Sequence, residues 1–127
     1  MFGDIYAELL VDLLGGLDLR VSVKKAGMAI GVDVEAMGKG QDPMTACYID
    51  SSFPAMLFFA YKYYDDPRKA MLAGANAGGE NVNRNALLGA VMGAAHGFDR
   101  IDKSLVVGLG DYEGIEKDVD AFLKSLG

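Results

Sequence analysis

Apolar residues recur along this chain at spacings of three and four, not two. Phe2, Ile5, Tyr6, Leu9, Leu10 and Leu13 fall on one stripe, which predicts a helix over Phe2–Leu14 that stops at Gly15-Gly16. Residues 19–37 carry Val21, Val23, Ala26, Met28, Ala29 and Ile30 and read as a weaker helical candidate. The valines, with Gly27 and Gly31, allow a break within it. Residues 38–43 read as a loop, and residues 44–52 give no clear element. Ser51-Ser52-Phe53-Pro54 looks like a helix start, a serine cap followed by proline in the first turn, so an apolar helix is expected over residues 54–64.

The sharpest boundary is Asp65-Asp66-Pro67. Asp66 can cap, Pro67 suits the first helical position, and a helix over Pro67–Asn76 follows. Next comes a helix over residues 83–96 in which Gly89 and Gly93, then Gly97, recur every four residues, as do Ala86, Ala90 and Ala94. That spacing predicts a smooth face against which another backbone lies closely. Glycine inside a helix costs roughly 1 kcal/mol relative to alanine, so the repeated glycines call for such a reason. Residues 102–107 read as a short helix. The last helix, residues 112–126, sets Ile115, Val119, Phe122, Leu123 and Leu126 against Glu113, Glu116, Lys117, Asp118 and Asp120. Strand-like alternation never persists, so the expectation is an all-α fold in a single domain over residues 1–127.

Composition narrows the function. A chain of 127 residues, 51% hydrophobic, can bury one core. Its formal charge of −6 excludes a nucleic-acid binder that relies on a basic face. Lys24-Lys25 and Arg68-Lys69 read as solvated helix positions. The one cysteine, Cys47, allows no internal disulfide and reads as a small buried hydrophobe. With no basic stretch at the start and no long apolar run, the reading is cytoplasmic, without a membrane span.

The candidate chemistry lies in Gly78-Gly79-Glu80-Asn81-Val82-Asn83-Arg84-Asn85. Two glycines lead into polar residues at a helix N-terminus, where free N–H groups favour an anion or a coordinated ligand. Glu80 and Asn81 serve equally as helix caps. Arg84 matches a phosphate bidentately, although a surface ion pair is the commoner use. Asp50 and Ser51 line a cleft or cap a helix. His96 reads as a helix C-terminal cap. Phe58, Phe59, Tyr61, Tyr63 and Tyr64 read as packing residues more than as an adenine-stacking box.

The run of glycines, polar residues and small-residue helix resembles the C-terminal signature of the ADP-ribosylglycohydrolase family, in which Gly-Gly-Asp precedes a polar run and an Ala-Leu-Leu-Gly-Ala type helix. Cys47-Tyr48-Ile49-Asp50-Ser51-Ser52-Phe53-Pro54-Ala55 and Ala60-Tyr61-Lys62-Tyr63-Tyr64-Asp65-Asp66-Pro67 resemble the helix pair before that signature in one branch, so the likeness covers roughly residues 44–126. It implies hydrolysis of a glycosidic bond of ADP-ribose at a paired magnesium or manganese site. Glu80 and Asn83 would then be metal ligands, and Gly78, Gly79, Asn81, Arg84, Asp50 and Ser51 would bind the ligand. No catalytic acid or base is assigned. Val82 stands where the family has its second aspartate, and valine has no donor oxygen for a hard cation. The family's N-terminal acidic cluster has no counterpart upstream in these residues. The resemblance therefore implies half of an active site, inactive alone, that self-associates or meets a complementary N-terminal half. The alternatives are a non-catalytic helical interaction module and a nucleotide or anion binder without turnover.

Overall fold

The structure is a computed structural model and describes residues 1–43 and 48–127. Cys47 lies outside the described residues. Eight α-helices and no strand occur among those described: α1 Phe2–Leu14, α2 Leu19–Ala29, α3 Val34–Gly38, α4 Ile49–Lys62, α5 Pro67–Asn76, α6 Asn81–His96, α7 Lys103–Val107 and α8 Tyr112–Ser125. A 3-10 turn, Phe98–Arg100, joins α6 to α7. No described helix is long and apolar enough to cross a membrane.

The ends of α1 and α2 close in the same way. Leu17 N–H donates to Asp12 O and Gly16 N–H to Leu13 O, at 3.0 Å each, while Val32 N–H donates to Gly27 O (2.9 Å) and Gly31 N–H to Met28 O (3.1 Å). These are paired 6→1 and 5→2 closures that need a left-handed residue, and Gly16 (φ 90°) and Gly31 (φ 73°) supply it. The long helical candidate at residues 19–37 is thus two helices, broken at Ile30–Asp33 where Asp33 caps α3 through Ala36 N–H.

α4 is the centre. Phe53, Ala55, Met56, Leu57, Phe58, Phe59 and Ala60 are all buried, and α2, α3, α5 and α6 pack around the helix. A helix apolar on nearly every side belongs inside. It starts a turn earlier than the sequence reading placed it. Tyr48 is the N-cap residue, its carbonyl accepts from Ser51 N–H and Ser52 N–H, and Pro54 sits inside the helix. An interior proline forfeits a ladder bond. Burial of the seven residues around it offsets that loss. α5 begins where the sequence places it, with the Asp66 side chain accepting from Lys69 N–H at 3.0 Å.

The aromatic cluster is packing, as read. Phe58 and Phe59 meet edge-on at 5.2 Å inside the core, and Arg20 lies over the rings of Tyr61 and Tyr64. His96 does not cap its own helix. Its Nε2 donates to the Tyr64 carbonyl beyond the end of α4, pinning the close of α6 to that turn.

One sequence expectation fails. Among the described residues no backbone lies against the glycines of α6: a Cβ on Gly93 or Gly97 would meet nothing within 4 Å, and one on Gly89 would meet only the tip of Met71. α6 instead buries Leu88, Val91 and Met92, and it packs against α1, α4 and α5. The apolar face of α8 is not buried. No residue of α7 or α8 belongs to the core, and Phe122 is 62% exposed.

Candidate functional site

The site is the turn between α5 and α6. Gly78 (φ 75°) and Gly79 (φ 64°) are consecutive left-handed residues, a conformation that a side chain at either position would strain. They reverse the chain within three residues and deliver it to the α6 N-terminus. Asn81 N–H bonds back to Gly79 O at 2.9 Å, tightening the turn further.

Three side chains from the start of α6 reach back to carbonyls of α5 and of the turn that follows it. Arg84 Nη2 donates to Gly74 O and to Gly78 O, each at 2.7 Å. Asn81 Nδ2 donates to Ala75 O at 3.1 Å, and Asn85 Nδ2 donates to Met71 O at 2.8 Å. The last carbonyls of a helix lack intrahelical partners and carry the negative end of its dipole, so the Arg84 guanidinium at Gly74 and the Asn81 amide at Ala75 suit that end, while Asn85 adds a bond in mid-helix. α5 and α6 are thereby stapled into a rigid hairpin.

This overturns the sequence reading of Arg84 as a surface ion pair. The residue is 1% exposed, and its guanidinium serves backbone carbonyls beneath the turn. Burial lowers its pKa from the ordinary arginine value, and the nearby Glu80 carboxylate opposes that shift. The Arg84 charge is engaged by the scaffold at those two carbonyls. The capping reading of Glu80 and Asn81 also needs correction. Glu80 is the N-cap residue by position, yet its side chain makes no cap hydrogen bond. Its Oε1 accepts from Asn83 Nδ2 at 3.1 Å. Asn81 serves the preceding helix.

Gly78, Gly79, Glu80, Asn81 and Asn83 are therefore brought together, with Arg84 behind them. Val82 stands in the first turn of α6 and is 74% exposed, a bare hydrocarbon among the polar residues. Asp50 and Ser51 belong to the first turn of α4, where Asp50 is exposed and Ser51 Oγ donates to Tyr48 O at 3.0 Å. Sequence reasoning missed Asn85 altogether. Its fit against Gly74, where a Cβ would come 2.3 Å from Asn85 Oδ1, is a contact between two helices that no local pattern announces.

The donor set is a poor match for a paired-metal centre. A hard divalent cation seeks about six oxygens, several of them carboxylate. The turn offers one carboxylate and neutral amides. No group of three or more histidine, cysteine, aspartate or glutamate side chains able to hold a metal occurs among the described residues.

No curated protein and no solved structure matches the chain. One protein family does: the sequence model described as ADP-ribosylglycohydrolase matches residues 5–127. The match starts well ahead of residue 44, so most of α1 and all of α2 and α3 fall within it along with the glycine turn. An all-helical chain, matched over almost its whole length and carrying the Gly-Gly turn ahead of a small-residue helix, belongs to the ADP-ribosylglycohydrolase family.

Proposed function

We propose that the turn at residues 78–83 forms one wall of an ADP-ribose site and that these 127 residues do not hydrolyse a glycosidic bond on their own. The observation that carries this reading is the pair of left-handed glycines locked from beneath by Arg84. Three side chains spent on rigidifying one turn suit a surface that must hold its shape for a ligand, since preorganisation lowers the cost of binding. The α6 N-terminus then faces the diphosphate. Glu80 and the amide oxygens of Asn81 and Asn83 are the groups available to a magnesium or manganese ion or to its water shell. Hydrolysis at such an ion requires further carboxylates from a complementary chain or segment, because Val82 supplies none.

Calorimetric titration of ADP-ribose, with and without magnesium, tests this reading. Magnesium-dependent binding that weakens on Glu80→Ala, with no release of ADP-ribose from an ADP-ribosylated substrate, supports it. Robust metal-dependent hydrolysis by the chain alone sinks the claim of inactivity. Absence of binding under both conditions favours the second reading, a helical interaction module that keeps the fold without its chemistry. The exposed Val82 is the observation on that side.

A further inference from the structure

From the C-terminal arm we infer that α8 and the segment before it form a docking groove for an amphipathic helix of another protein, one with lysine or arginine flanking its apolar stripe. Tyr112, Ile115, Val119 and Leu123 line the groove from α8 at spacings of three, four and four, the repeat that presents a continuous apolar stripe to a facing helix. The opposite wall comes from Phe98, Val106 and Leu109, and the groove between them encloses about 440 Å³. Its members are open to solvent, with Ile115 at 48%, Val119 at 50% and Leu109 at 50% exposure. An apolar trough along a helix face suits an amphipathic helix, with anchors one turn apart.

Charge selects the occupant. Glu116 and Asp120 line one side of the groove, and Asp111 and Asp118 flank the stripe on the other. Lys117 and Lys124 fall on the far side of α8 by helical periodicity. Asp99 and Lys103, in the adjoining groove, offset each other. A second copy of α8 seated here would set acids against acids, which is unfavourable at flanking positions of a helix pair. A helix with basic flanks meets the acids directly. The inference is independent of ADP-ribose binding.

Two synthetic peptides with the same leucine stripe, one flanked by lysine and the other by glutamate, are titrated into the whole chain and followed by fluorescence anisotropy. The lysine peptide is expected to bind at least about tenfold more tightly than the glutamate peptide, a difference of roughly 1.4 kcal/mol. Added salt should narrow the gap. Val119→Asp should abolish binding without changing the unfolding transition, and the double substitution Glu116→Lys with Asp118→Lys should reverse the preference. Equal binding of both peptides, or binding of neither, overturns the proposal. So does sedimentation showing that the chain fills its own groove as a dimer that Val119→Asp dissociates.

Discussion

α4 and α8 are each fourteen residues long, and both carry phenylalanine, leucine and alanine on helical faces, yet their fates are opposite. Phe58 on α4 is 1% exposed, whereas Phe122 on α8 is 62% exposed. α8 has the cleaner division into apolar and charged faces, and α4 is apolar almost all round. The difference teaches that amphipathicity marks a face as coverable and says nothing about what covers it. α4 is enclosed because α2, α3, α5 and α6 reach it, whereas α8 follows a 3-10 turn that rests on α6 and leads the chain away from the core.

Substitution can break or sharpen this contrast. The largest effect is expected for Phe58→Ala, a loss of about 3–5 kcal/mol in urea unfolding, since the cavity lies among buried neighbours. Arg84→Met should follow at roughly 3 kcal/mol, because it leaves the buried carbonyl of Gly74 and the half-buried one of Gly78 without their charged donor. If Arg84 were a surface residue in function as well as by sequence pattern, the loss would stay below about 1 kcal/mol. Phe122→Ala is expected to move stability by no more than about 0.5 kcal/mol, as for a surface side chain outside the core. A cost near that of Phe58→Ala would mean that α8 folds onto the core in solution, and the contrast between the two helices would fall.

The glycine turn shows a second contrast, between position and role. Its place before α6 was legible because two adjacent glycines followed by polar residues rarely sit inside a regular element. The work of its side chains was not. Asn81, Arg84 and Asn85 all bond to carbonyls of α5 between six and fourteen residues back in the chain. Those partners become neighbours only after the hairpin has closed, and an arginine among polar residues looks, in one dimension, like any solvated arginine. Pro54 misled for a related reason. Locally it marks a first turn, but burial of the residues after it sustains a helix that begins before it.

By itself the sequence determined what depends on near neighbours. The all-helical class, the extents of α1 and α5, the cap at Asp66, the closures at Gly16 and Gly31, and the family through its glycine turn all rest on residues within a few positions of one another. Only the tertiary structure decided the rest. It sent Arg84 inward, left the glycine face of α6 open, and exposed the apolar face of α8. Each of these outcomes depends on which surfaces meet after the chain has turned back on itself, and that meeting is set by loop geometry and competing burial across the whole molecule.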